Sequence, residues 1–185
     1  MPGVSPPSLD DDRAMVHAAL SGQPGAFAAL VHAHQRLVWL LVQRLVRDPE
    51  DARELGQEAF MRVSQRLHQF RFESSLRTWI GRIATSVALR HLERQRLPTV
   101  EIDEALPLPA ADDTAAEVDA RQQHERLRDA IDALAPVPRL VVTLFYLEEL
   151  PVAEVAALTG LPDNTVKSHL ARSRARLRQH LETSR

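Results

Sequence analysis

The sequence predicts an all-α protein of two small helical domains joined by a flexible linker, the second domain a helix-turn-helix. Three observations predict it. Apolar residues recur at helical spacing in nearly every segment, and no segment requires a strand. A Pro-containing acidic stretch interrupts that periodicity after residue 97. The last quarter, Pro151 to Leu181, then holds two short helical patterns that meet at a Gly-containing turn, the second rich in Arg.

A chain of 185 residues with 44% hydrophobic content can bury one ordinary core or two small ones. With no Cys it forms no disulfide and no thiolate site. The longest apolar runs, Leu37 to Val42 and Leu140 to Leu147, are too short to span a bilayer. Nothing at the start resembles a secretory signal, so a cytoplasmic protein without membrane insertion is expected. The net charge of −2 hides a segregation. Residues 98–120 hold seven acids and no Lys or Arg, residues 66–97 hold seven Arg against Glu73 and Glu93, and residues 161–185 hold six bases against Asp163 and Glu182. Two basic segments around an acidic one suit two nucleic-acid contacts and a solvated spacer.

Taken in order, residues 1–12 read as a disordered N-terminal tail, with Asp10 to Asp12 placing negative charge at the start of a short helix through Leu20. Pro24 restarts a helix to about Val46, whose broad apolar face includes Leu30, Leu37, Val38, Leu41 and Leu45. His32 and His34 on it point to different faces, so they make no metal site. Asp48-Pro49 opens the next helix. Ala52, Leu55, Ala59, Val63 and Leu67 face inward there, while Asp51, Glu54, Gln57, Glu58 and Arg62 gather opposite, as a solvated face or a partner surface. Gly56 inside this helix suggests a close backbone approach.

Gln69 to Trp79 is a short loop ending at a Ser74 or Ser75 cap. Phe70, Phe72 and Trp79 interleave with Arg71 and Arg77, a mixture that suits unstacked bases and phosphates or, for Trp79 especially, packing on the preceding helix. The next helix runs to about Arg96, with Arg82, Ser86, Arg90 and Arg94 spaced four apart in one stripe that would face a single partner. Residues 98–115 form the linker, and a stretch of roughly 16 residues extends at most about 50 Å. Thr114 and Glu117 form a capping box for a helix that continues through Leu127, Ile131 and Leu134. An apolar helix from Arg139 to Glu149, carrying Leu140, Val141, Leu144, Phe145 and Leu147, follows and should pack under the helix-turn-helix.

In that final unit Val152, Val155, Ala156 and Leu158 turn inward, Gly160 supplies a positive φ, and Val166 plugs the second helix into the first. Val166, Leu170 and Leu177 share its inner face. Thr165, Lys167, Ser168, Ala171 and Arg172 lie outward, a small, polar and cationic surface that can enter a major groove. No cluster of His, Asp and Glu has ligand spacing and no Gly-rich loop cradles a phosphate, so neither enzyme activity, metal nor cofactor is expected.

Together the stretches GQPGAFAALV, DPEDARELGQEAFMRV, FRFESSLRTWIGRIA and PVAEVAALTGLPDNTVKSHLARSRARL resemble the extracytoplasmic-function sigma factors, bacterial initiation factors that keep regions 2 and 4. The resemblance implies region 2 over 13–97 and region 4 over 116–185. It implies that Asp51, Glu54, Leu55, Gln57, Glu58 and Phe60 dock on the β′ clamp helices of core RNA polymerase, with the β flap a further contact. It implies that Phe72, Ser74, Ser75, Arg77, Trp79, Arg82, Ser86, Arg90 and Arg94 open and hold the minus-10 element as single strands, and that Thr165, Lys167, Ser168, Ala171 and Arg172 read the duplex minus-35 element. An anti-sigma factor is an implied partner. The chain departs from the family at Ser86, where Asn is common, at Arg90, where Asp is common, and at Arg53 and Gly56. Other readings open at this point are a helix-turn-helix regulator that binds operator DNA without polymerase, and a decoy that titrates an anti-sigma factor.

Overall fold

The computed structural model of the chain describes residues 9–95 and 126–183, all of their regular structure helical. The linker over 98–115 and the capping box at Thr114 and Glu117 lie outside the described residues. The N-terminal unit comprises α1 (Leu9–Leu20), α2 (Ala26–Leu45), α3 (Pro49–Arg66), a 3₁₀ turn (Leu67–Gln69) and α4 (Leu76–Gln95). The C-terminal unit comprises the helical residues 126–132, here α5, then α6 (Pro136–Val142), a π turn (Thr143–Leu147), α7 (Val152–Thr159) and α8 (Asp163–Thr183).

Local chemistry fixes most of the element boundaries. The Asp48 carboxylate accepts from Glu50 N at 2.8 Å and Asp51 N at 3.1 Å, and Pro49 stands where a missing N–H costs nothing. Gly25 precedes α2 with φ 78°, so the helix starts two residues after Pro24. Residues 9–12 belong to the fold and not to a tail: Leu9 to Asp12 are helical, and Asp12 is 1% exposed.

α2 runs through the middle of the N-terminal unit, with Leu30, Val38, Leu41 and Val42 buried between α1, α3 and α4. The inward positions expected on α3 (Ala52, Leu55, Ala59, Val63) and Leu67 are all buried. Gly56 is not a close approach, since a Cβ there would lie 4.0 Å from Val38 Cγ1. The tight glycine is Gly81 on α4, where an added Cβ would meet Leu158 Cδ2 at 2.7 Å and Leu41 Cδ1 at 3.4 Å. Gly81, Ala84, Thr85 and Ala88 form one small-residue face, buried against α2 and α7.

The expected Arg139–Glu149 helix divides differently. α6 starts at Pro136, the winding loosens to a π turn over Thr143–Leu147, and Glu149 takes φ 54° before the chain reaches α7. Leu140, Val141 and Leu144 are buried and α6 packs under α8, but Tyr146 and Leu147 turn outward. Leu127 on α5 is also exposed. The two units pack on each other, α6 on α2 and α7 on α4.

Candidate nucleic-acid and partner interfaces

The acidic side of α3 forms one wall of a groove whose other wall is the C-terminal half of α4. Asp51, Glu54, Leu55 and Glu58 line it with His91, Arg94 and Gln95. Leu55 belongs to the core and forms the floor, and Phe60 is half-buried against the core. Asp51 is held by His91 Nε2 at 3.2 Å and Gln95 Nε2 at 3.3 Å, and Glu58 pairs with Arg62 on the next turn. Glu54 and Gln57 are exposed, and Glu54 makes no ion pair among the described residues. The groove therefore offers one unengaged carboxylate beside carboxylates already oriented by neighbours.

Between Gln69 and Trp79 the aromatic side chains meet each other. Phe70 is buried, with Phe72 at 4.8 Å and Trp79 at 5.3 Å between ring centroids, both tilted. Phe72 takes φ 59°, and Arg13 of α1 lies 5.7 Å over its ring. Trp79 packs as a partly buried ring, the alternative the sequence left open for it. The cap of α4 is Ser75, whose Oγ accepts from Thr78 N at 3.1 Å; Ser74 is only its neighbour. Asp12 completes the helix start from a distance of 64 residues by accepting from Leu76 N at 2.7 Å. A buried carboxylate on the first N–H of a helix satisfies an orphan donor and suits the positive end of the dipole.

The Arg stripe does not face one partner. Arg82 Nε donates to Ala157 O at 2.8 Å and Arg77 pairs with Glu154, so its N-terminal half meets α7. Ser86 is half-buried, and Arg90 and Arg94 stand exposed beside α3, with Arg94 in the acidic groove. Spacing of four put these side chains on one strip of helix; the packing of two different helices along that strip divided them.

In the helix-turn-helix, Gly160 ends α7 with φ 75° and its N–H bonds Ala156 O at 2.9 Å. Thr159 Oγ1 donates to Val155 O and accepts from Leu161 N, tying the turn together. Val166 is fully buried and Leu170 nearly so, which fixes the rotation of α8. That rotation leaves Lys167, Ser168, Ala171 and Arg172 exposed and Thr165 half-buried at the start of the same face. Ser168 Oγ donates to Asn164 O, and Arg172 Nε lies along the helix on Ser168 O at 3.3 Å. His169, beside this face, is pushed below the ordinary imidazole value by burial and then by Arg172, which keeps it neutral near pH 7.

Two buried polar residues were missed by sequence reasoning. His34 is 5% exposed with Nε2 unpartnered, and Arg139, 4% exposed, spans the two units. A charged residue in the apolar register of α6 was the available signal for the second. Among the described residues no group of His, Cys, Asp and Glu could hold a metal ion, and no helix is long and apolar enough to cross a membrane.

Residues 30–97 match the Sigma-70 region 2 family and residues 124–177 match the Sigma-70, region 4 family. The chain is 31% identical over 173 residues to the ECF RNA polymerase sigma-E factor of Escherichia coli K12, covering 88% of this chain and 90% of that protein. It is 32% identical over 171 residues to the "Probable RNA polymerase sigma factor RfaY" of Xanthomonas campestris pv. campestris, covering 89% of this chain and 42% of that longer protein. Its fold is similar to that of the sigma factor RpoE, solved with the anti-sigma factor NepR from Bartonella quintana, with a TM-score of 0.60 at 20% identity over 87% of this chain and 99% of that one. The chain belongs to the extracytoplasmic-function sigma factors of the sigma-70 family, RNA polymerase sigma factors that carry regions 2 and 4.

Proposed function

We propose that this sigma factor docks on core polymerase through the acidic side of α3, holds melted minus-10 strand with the loop before α4 and with α4 itself, and reads the minus-35 duplex with α8. Region 2 occupies 13–97 and region 4 116–185 in this reading, and the acidic linker of 98–115 crosses the polymerase between them. The reading rests chiefly on one observation: the buried Val166 and Leu170 turn Lys167, Ser168, Ala171 and Arg172 outward on the second helix of a helix-turn-helix. Such a face meets base edges and phosphates in a major groove. On the acidic side, exposed Glu54 and Gln57 with the partly exposed Asp51 and Glu58 suit a basic protein surface such as the clamp helices. The protein directs polymerase and carries out no covalent chemistry of its own. An anti-sigma factor is a proposed partner, on the fold shared with the RpoE that binds NepR.

The binding roles are separable. Lys167→Ala and Arg172→Ala should each weaken upstream-promoter duplex binding by about 1–3 kcal/mol where the side chain reads a base, or lower the salt slope by about one where it holds a phosphate. Both variants should bring down core polymerase as well as the wild type does. Equal loss in the duplex titration and the pull-down would contradict the assignment of roles.

A further inference from the structure

The two halves of the chain cap each other's helix ends. The last carbonyls of an α-helix have no partner within the helix and carry its negative end. At the end of α2, Arg139 from α6 donates Nε to Arg44 O at 2.8 Å and Nη2 to Leu45 O at 3.2 Å. Its Nη1 reaches Asp132 O at 3.2 Å, and Arg47 Nη2 reaches the same carbonyl at 2.6 Å. At the end of α7 the relation is reversed. Arg82 of α4 donates Nε to Ala157 O, and Thr85 Oγ1 lies 3.4 Å from Leu158 O. One turn earlier Arg77 pairs with Glu154, and Gly81 lets Leu158 seat directly on the α4 backbone.

We propose that this reciprocal capping is an autoinhibitory latch, in which the helix-turn-helix holds the arginines that the proposed function assigns to minus-10 DNA. The inference rests on that assignment for its consequence but not for its geometry. A guanidinium whose Nε is committed to Ala157 O, or whose charge is matched by Glu154, is not free to hold a phosphate or a base. The latch is selective. Lys167, Ser168, Ala171 and Arg172 stay exposed in the closed chain, and so do Glu54 and Gln57. The closed protein can therefore meet polymerase and duplex DNA, but its minus-10 helix is half occupied. Binding that needs the open form is weakened by the open fraction, and a partner that separates the halves removes that penalty.

The chain has no Cys, so a pair introduced at the exposed positions Met61 and Arg174 takes two spin labels without further change. In the full-length protein the wild-type background should give one narrow distance distribution. Glu154→Arg, which sets two like charges together, should shift it to longer and broader distances, and the swap Arg77→Glu with Glu154→Arg should narrow it again. The opened variant should bind a fluorescein-labelled single-stranded DNA of random sequence roughly fivefold tighter, the change that about 1 kcal/mol of lost pairing produces. Adding Arg82→Ala should remove that gain. An unchanged distance in Glu154→Arg overturns the latch. Opening with no gain in binding, or with a gain that survives Arg82→Ala, overturns the sequestration of the arginines. Failure of the minus-10 assignment has a separate signature: normal promoter opening by polymerase carrying Arg82→Ala, with the distance change intact.

Discussion

At position 56 a glycine sits inside α3 with open space where its side chain would be, the nearest atom being Val38 Cγ1 at 4.0 Å. Gly56→Ala should raise unfolding free energy by up to about 1 kcal/mol, because the helix loses an entropic cost and gains no clash. A urea titration checks this, and destabilisation would contradict the open geometry. His34 is the opposite kind of position, buried with Nε2 unpartnered. Burial pulls it below the ordinary imidazole value, Asp12 opposes that and Arg77 adds to it. The unfolded chain thus binds more protons there, so the contribution of His34 to stability is complete above about pH 6.5 and is lost as pH falls below that. His34→Met should make the decline in urea midpoint below about pH 6.5 shallower; an unchanged decline would show that His34 takes up its proton while folded. Single residues of the helix-turn-helix, Gly160 and Val166, were legible because their roles depend on neighbours a few residues away. His34, Gly81 and Arg139 were not, since each is defined by a helix distant in sequence.

Among the elements, α3 and α7 carry their own boundary signals and were readable with their inward faces. α4 is different, because its start depends on Asp12 in α1 as well as on Ser75. Asp12→Ala leaves the Leu76 N–H buried without a partner and should cost about 1–3 kcal/mol, while Asp12→Asn keeps an acceptor and should cost less. Thermal melts give the size of the effect, and amide exchange at Leu76 locates it. Equal losses in the two variants would mean that the hydrogen bond is not what Asp12 contributes. The small face Gly81, Ala84, Thr85 and Ala88 is visible in the sequence at helical spacing, but larger neighbours at Ile80, Ile83 and Val87 also make a plausible inner side. Only the close approach of α2 and α7 selects between them. The π turn after α6 left no sequence signal, so Leu147 was placed inward and is found outside.

For the whole molecule, two helical units with a helix-turn-helix at the end follow from periodicity and from the turn at Gly160. Their contact does not, because Arg139 and Arg82 cap helices that periodicity treats as independent. Three surfaces result: an acidic groove, a divided arginine stripe and an exposed recognition face. A sigma factor needs them to act together with polymerase, whereas an operator-binding regulator needs only the last. The most direct measurement is run-off transcription from a genomic promoter library with core polymerase, with and without this protein. Transcripts that start at specific promoters only when the protein is added, and that are lost with Lys167→Ala plus Arg172→Ala, are the expected result. Starts unchanged by the protein, alongside tight binding of its own to duplex DNA, would contradict the account.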